Sequence, residues 1–276
     1  MVVTLDIEII CIGNELLIGK VKDSNAHYLA KQTTQLGVNI KRVTIIQDII
    51  EEIAKTIIEA IARKPRFIIT TGGLGPTFDD KTLHGIAKAL NCDLVINSKA
   101  LAIVKQKSID YAKKHGLPSE IEMTPPRVKM ATLPGKTEIV NNPIGTAPGV
   151  RADVHGTILF ALPGVPVEVE AIFEETIAPI IKQAVGNDVF CERSIFADNI
   201  IESRLAPLID KVMNDNTGVY IKSHPMHAEN KPHVELHLTI IASQAQMPNE
   251  KLAKAARELA ILIEADGGAV TFEPEG

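Results

Sequence analysis

The sequence predicts an α/β fold, a mostly parallel sheet covered by helices, followed by a smaller α+β unit. Strand-like and helix-like runs alternate from Ile7 to Asn91, as they do where helices connect parallel strands. In FIIT (Phe67–Thr70) the apolar residues are continuous instead of alternating, which suits a central strand buried on both faces. From about Val185 the texture changes to shorter units in which strands follow one another directly.

Taken in order, IEIICIG (Ile7–Gly13) is the first strand and SNAHYLAKQTTQLG (Ser24–Gly37) its helix. VNIKRVTIIQD (Val38–Asp48) leads into IIEEIAKTIIEAIARK (Ile49–Lys64), and FIITTGG (Phe67–Gly73) into DDKTLHGIAKALN (Asp79–Asn91). A further helix-like stretch, SKALAIVKQKSIDYAKKHG, ends at Gly116, and Pro118, Pro125 and Pro126 punctuate the chain beyond it. Two loops share wording, LPGKTEIVNNPIGTAPGV (Leu133–Val150) and LPGVPVEVEAIFEE (Leu162–Glu175). The second follows the strand-like GTILFALPG and passes through Pro163-Gly164 into a helix, so it is a strand-end loop facing the same way as Thr70–Thr82. Helix-like IAPIIKQAV then stops, which places a boundary near Gly186–Asn187 and divides the chain into residues 1–184 and 185–276. Beyond it CERSIFAD, IIESRLAPLIDKVM, TGVYIKS, HVELHLTIIA and NEKLAKAARELAILIEA read strand, helix, strand, strand, helix.

Composition narrows the functional classes. With 276 residues, 45% hydrophobic and 23% charged, the chain is an ordinary globular one, long enough for one large or two smaller cores. A net charge of -5 lacks the basic excess of a nucleic-acid protein. Cys11, Cys92 and Cys191 are scattered, without metal-ligand spacing, and are expected to be reduced, buried thiols. The N-terminus has acids within its apolar run and no basic n-region, so no signal peptide is expected. No stretch reaches the length that spans a bilayer. These points make the cytoplasm the expected location and exclude the membrane as partner.

The chemistry concentrates in TTGGLGPTFDDKT (Thr70–Thr82). Glycines after a buried strand let the backbone approach a ligand, and free amides at the following helix suit an anion. Asp79 and Asp80 would repel a phosphate unless a divalent cation joined them to it. The competing reading is structural, with Thr77 or Asp79 capping the helix and Asp80 complementing the dipole in its first turn. Similar alternatives stand elsewhere. Asp48, between strand and helix, is a cap or a catalytic acid. Asp23 and Asn25 straddle Ser24 at a helix start, where at least one is expected to cap. Asn141 and Asn142 before Pro143 suit a turn, Pro163-Gly164 a turn or an anion site, and Lys81 a solvated helix face.

Other motifs fail. GNELLIGK (Gly13–Lys20) has five residues between its glycines where a P-loop has four, and Val21 replaces Ser/Thr. The loop at Gly72 is not GxGxxG, and no GxSxG appears. His224, His227, His233 and His237 tempt a zinc reading, but His233, Glu235, His237 and Thr239 alternate with apolar residues as on a strand with one wet face.

TGGLGPTFDDKT resembles the motif of the molybdopterin-binding (MoCF) superfamily, with wording nearest its CinA-like, competence/damage-inducible branch. GNELLIGKVKDSNAHYLAKQTTQLG, IIQDIIEEI, NNPIGTAPGV and ALPGVPVEVE agree with it in order. Residues from about 187 to 270 look like the small KH-like domain that follows in CinA-like proteins. The resemblance implies a three-layer α/β sandwich whose strand-end loops bind a pterin or a nucleotide. It implies metal-dependent hydrolysis of ADP-ribose, NADH, FAD or related pyrophosphates, with Mg, Mn or Co as cofactor. The alternative is a non-catalytic or adenylyl-transferring molybdopterin- or nucleotide-binding protein of molybdenum cofactor biosynthesis. Asp80 and Asp48 would be catalytic and Asp79 with Asp80 metal-linked. Gly72, Gly73, Gly75 and Thr77 would cradle phosphate, with Asn14, Glu15, Asp23, Asn25, Asn142, Gly145, Pro163 and Gly164 around them. Leu74 stands where molybdopterin-inserting relatives often have Thr, which argues against direct molybdopterin chemistry. A homo-dimer or other homo-oligomer is expected on resemblance alone. The nicotinamide-nucleotide deamidase domain that ends many CinA proteins has no counterpart in the sequence, so deamidation is not expected. The later glycines form no GxxG loop of the kind that binds RNA.

Overall fold

The computed structural model describes residues 5–118, 120–226 and 233–273. Contacts divide the chain into two compact units, one of Leu5–Thr34 with Val38–Ala184, the other containing Gln35–Gly37 and the chain from Val185 onward. The first unit runs β1 (Asp6–Ile12), α1 (Asn14–Leu17), α2 (Ser24–Gln35), β2 (Asn39–Ile46), α3 (Ile50–Ala62), β3 (Phe67–Thr71), α4 (Thr82–Ala89), β4 (Leu94–Ile96), α5 (Ser98–Lys114), α6 (Pro125–Met130), β5 (Thr132–Pro134), β6 (Glu138–Val140), β7 (Gly149–Val154), β8 (Thr157–Leu162), α7 (Pro166–Ile172) and α8 (Ala178–Val185).

Its six-stranded sheet has the order β2-β1-β3-β8-β7-β6. The first four strands are parallel, and β7 runs against them, pairing antiparallel with both β8 and β6. Every residue of β3 and of β8 is buried, the mark of strands covered on both faces. At the edge, β2 exposes Val43 and Ile45 and presents Lys41 and Arg42, charges that discourage pairing with another strand. β4 and β5 pair as a separate two-stranded ribbon. Register fixes what matters for function. Ile12 is level with Ile46, Cys11 with Thr71, and Thr71 with Leu162. Four parallel strands therefore stop together, and the loops after them gather at one end.

The second unit contains β9 (Asp188–Asp198), α9 (Glu202–Asp215), β10 (Tyr220–Met226), β11 (His233–Ser243), α10 (Pro248–Ala265) and β12 (Ala269–Phe272). Its sheet, β10-β11-β9-β12, is antiparallel throughout. Leu205 and Val212 of α9 and Leu252, Leu259 and Ile263 of α10 bury one face together with Val234, Leu236, Leu238 and Ile240 of β11. The sequence reading lacks β12, which is too short to show a period.

The alternation on β11 is a half-wet strand, as expected from its pattern. His233 Nδ1 lies 2.7 Å from Asp198 Oδ1 and His237 Nε2 3.1 Å from Glu192 Oε2, so these rings are paired with acids. His227 lies outside the described residues. Of the cysteines, all free, only Cys11 is fully buried, while Cys92 and Cys191 are half-buried, short of the expectation for all three. Among the described residues no helix is long and apolar enough to cross a membrane.

Candidate functional site

Beyond the aligned strand ends lies a cavity of about 710 Å³, where ligands bind on open parallel sheets. Gly13 and Glu15 after β1, Asp23 and Asn25 at α2, Asp48 after β2, the Gly72–Asp80 loop after β3, and Pro163, Gly164 and Glu168 after β8 supply its walls. Most of the residues singled out in the sequence are thus brought together by register.

The glycine loop divides into a part that packs and a part that is open. Gly72, at φ +98°, stands where an added Cβ would lie 2.2 Å from the Ile12 carbonyl oxygen. Its N–H donates to Leu162 O at 3.0 Å and its carbonyl accepts from the Thr82 hydroxyl at 2.8 Å. Gly72 is therefore spent on closing the ends of β1, β3 and β8 and offers no amide to a phosphate. Gly73, at φ +69°, turns the chain. The N–H groups of Gly73, Leu74 and Gly75 meet no protein acceptor among the described residues, and successive free amides of this kind attract an anion. The Leu74 side chain joins the hydrophobic core.

Neither of the expected caps forms as expected. α4 begins at Thr82, after the acids, and its capping residue Lys81 makes no side-chain cap bond. Thr77, Asp79 and Asp80 bind one another instead. The Thr77 hydroxyl lies 2.6 Å from Asp79 Oδ1 and 2.5 Å from Asp80 Oδ2, and the Thr77 N–H donates to Asp80 Oδ2 at 2.7 Å. One hydroxyl proton serves one carboxylate at a time, so the other is left without it. Asp48 likewise does not cap α3, whose capping residue is Ile49. Its Oδ2 accepts the Asn14 N–H at 2.8 Å and so caps α1 across the cavity.

Electrostatics set these acids apart. Burial raises the Asp48 pKa, the Asn14 N–H partly offsets that, and the charges of Glu15, Asp79 and Asp80 raise it further. Asp79 is held below the usual range, first by the Thr77 hydroxyl and to a lesser degree by Lys129 and Lys81. Four carboxylates therefore face a common space, two of them close enough to share a hydroxyl. Among the described residues no three His, Cys, Asp or Glu side chains converge into a cage for an ion. The donor set suits a cation that takes one or two carboxylates and fills the rest of its shell from water and substrate phosphate, as Mg²⁺ does.

The remaining candidates divide between ligand wall and scaffold. Asp23 Oδ1 accepts the Ala26 N–H at 2.9 Å and caps α2, while Asn25 Nδ2 donates to Gly164 O at 2.9 Å and ties α2 to the end of β8. Asn142, fully buried, donates to Ala147 O and Glu168 Oε2 and accepts from the N–H groups of Ile144 and Gly145. These four bonds exhaust its amide, so it shapes its loop. Gly145 leaves room for the Glu168 carboxylate, 2.2 Å from where a Cβ would stand. Neither Asn142 nor Gly145 lines the cavity, whose wall there is Thr146 and Ala147. The Cys11 thiol is kept protonated by burial and by Asp23, so it is no nucleophile.

Sequence reasoning missed Lys129. Its ammonium donates to the Thr77 carbonyl from α6 and is attracted by Asp80 and Asp79, although burial lowers its pKa. A lone lysine in the proline-punctuated stretch before β5 carries no periodic signal, and only the fold brings it to a loop 52 positions away.

Comparison with known proteins gives the family. The model of the probable molybdopterin binding domain matches residues 8–183. A protein of Pyrobaculum calidifontis is 41% identical over 256 residues, 92% of this chain and 94% of its own length. Another, from Aeropyrum pernix, is 38% identical over 266 residues, 96% of each chain. The crystal structure of CinA from Thermoplasma acidophilum, a protein of unknown function, is 35% identical with a TM-score of 0.56 and covers 63% of this chain and 98% of that one.

Proposed function

The chain belongs to the family of probable molybdopterin-binding domains and is CinA-like, and on that premise we propose that it is a metal-dependent hydrolase of nucleotide pyrophosphates such as ADP-ribose, NADH or FAD. One observation supports the reading above the others. Three free backbone amides, of Gly73, Leu74 and Gly75, stand beside the carboxylates of Asp79 and Asp80 in one strand-end cavity. An anion and a cation are thereby invited to the same place.

A divalent cation, Mg²⁺, Mn²⁺ or Co²⁺, would supply positive charge at the phosphate and a more acidic water. The chain's own groups do the rest. The free amides hold the phosphate oxygens and stabilise charge that develops on them. Asp80 and Asp79 would hold the cation, and the Thr77 hydroxyl bonds both of them in its absence. In the hydrolytic step a water oxygen bonds to phosphorus, the bridging P–O bond breaks, and the leaving phosphate departs with that electron pair. Asp48 takes the water's proton at Oδ1, because its Oδ2 is engaged by Asn14. Its raised pKa favours that role.

Pure protein incubated with ADP-ribose, NADH or FAD and each of the three metals is expected to release AMP. Absence of AMP under every condition, at enzyme concentrations well above contamination, removes the hydrolase reading. Tight binding without turnover in the same experiment would leave a nucleotide- or pterin-binding module.

A further inference from the structure

The wet face of the second sheet carries a group of side chains for which the strand-end cavity has no use. Register puts His224 of β10 opposite Glu235 of β11, and His237, two positions further along β11, opposite Ser194 of β9. His224 and His237 are therefore diagonal neighbours on one face, their ring centroids 6.3 Å apart, within the reach of such pairs. Both border a concavity of about 330 Å³. Among the described residues around it, the carboxylates of Glu192, Glu235 and Glu273 stand against one guanidinium, that of Arg193. The balance of charge there favours a cation.

Two donors are already in place. His237 Nε2 lies 3.1 Å from Glu192 Oε2. Two ligands of one tetrahedral Zn²⁺, each at about 2.0–2.1 Å from it, stand about 3.3 Å from one another. An ion can thus take the place of the proton between His237 and Glu192 with almost no movement. His224 is exposed, and its ring is free to turn between rotamers and bring a third donor. No three such side chains converge as they stand among the described residues, so the turn of His224 is the change the ion induces. Glu235 remains behind the site, where the Ser194 hydroxyl donates to its Oε1 at 2.6 Å. His233 supplies the contrast on the same strand. Its Nδ1 is only 2.7 Å from Asp198 Oδ1, too close for an ion to sit between them, and its ring stacks on Phe196 with centroids 5.7 Å apart.

We propose that His237, Glu192 and His224 form a site for a divalent ion of the zinc class, with water as the fourth ligand. Imidazole nitrogens joined by one carboxylate suit such an ion better than Mg²⁺ or Ca²⁺, which take oxygen ligands. The ion ties together β10, β11 and β9, three neighbouring strands, and stabilises the sheet of the second unit. It is independent of the cation proposed for the strand-end cavity.

Calorimetric titration of the intact chain with Zn²⁺, with the histidine ring resonances followed by NMR, tests the inference. Binding with a Kd on the order of 1 μM is expected, weaker than that of a structural site with four protein ligands. The His224 and His237 ring signals should shift with zinc while that of His233 stays still, and Mg²⁺ should move none of them. His224→Ala and His237→Ala should each weaken binding by about 10-fold or more, the loss known even for groups that stand behind a metal ligand, whereas His233→Ala should leave it unchanged. Zinc should also raise the Tm of the parent and not that of His237→Ala. A parent Kd weaker than about 100 μM, ring signals that stay still as zinc is taken up, or parental affinity in both His224→Ala and His237→Ala would overturn the inference. The hydrolase reading is untouched by any of these results, since AMP release decides it.

Discussion

The strand-end cavity and the second unit handle charge in opposite ways. In the second, Arg204 meets Asp266, Lys211 meets Asp215, Lys254 meets Glu258, and two histidines meet Asp198 and Glu192. In the cavity Glu15, Asp79 and Asp80 all act to raise the pKa of Asp48, and the ammonium bonded to the acid loop, that of Lys129, is partly desolvated, although elsewhere the first unit pairs its charges too, Arg63 with Glu8 and Lys88 with Glu51. Charge that folding could have paired and did not is the usual trace of a site with another task. The contrast supports the proposal that the strand-end cavity is the site.

The largest effect that would break or sharpen this contrast is on turnover. Asp80→Ala should lower AMP release on the order of 1000-fold, because it removes cation and loop together. A residual rate within a factor of a few would place the chemistry elsewhere. Next comes the backbone. Gly72→Ala forces a side chain against Ile12 at positive φ and should cost about 3 kcal/mol, a fall of roughly 6–12 °C in Tm. Gly267→Ala in the second unit has positive φ but no neighbour within 4 Å, and about 1 kcal/mol is expected. Equal losses in thermal unfolding would show that the strand ends are not closely packed at Gly72.

Asp48→Asn separates activity from stability. Asparagine keeps the acceptor for Asn14 and loses the base, so activity should drop by about 100-fold. The sign of the stability change follows from the raised pKa of Asp48. The protonated form is favoured in the fold, and the stability it contributes is present below the ordinary aspartate pKa of about 3.9 and is lost as pH rises through the folded value. The variant should therefore gain on the parent from about pH 4 towards neutrality, read as Tm against pH. A parent that is the more stable at neutral pH would contradict the crowding of acids. The smallest effect belongs to the second unit, where Lys211→Ala should change stability by less than about 0.5 kcal/mol in a denaturant melt.

Much of this was legible in the sequence. Continuous apolar runs gave the central strands, alternation gave β11, and wording alone brought Asp48, the glycine loop and Pro163-Gly164 into one site. Local polar chemistry was less legible. Thr77, Asp79 and Asp80 could each have capped α4, and what decided between a cap and a closed triad was the start of the helix at Thr82. Asp48 could have capped α3, but register set it against α1. Lys129 and the amide of Asn142 are arranged by contacts distant in sequence, which no local pattern encodes. The division of labour between Gly72 and its neighbours appears only when β1, β3 and β8 are seen to end level.

The central claim is that the acids serve a cation arriving with a phosphate ligand. Binding of a non-hydrolysable α,β-methylene analogue of ADP-ribose, titrated calorimetrically with and without Mg²⁺, tests it most directly. Mg²⁺ should tighten binding at least about 10-fold in the parent, and Asp80→Asn should erase that gain. Affinity indifferent to Mg²⁺ in the parent, with Asp80→Asn binding more tightly in its absence and in its presence alike, would show that the acids merely repel the ligand and would overturn the account.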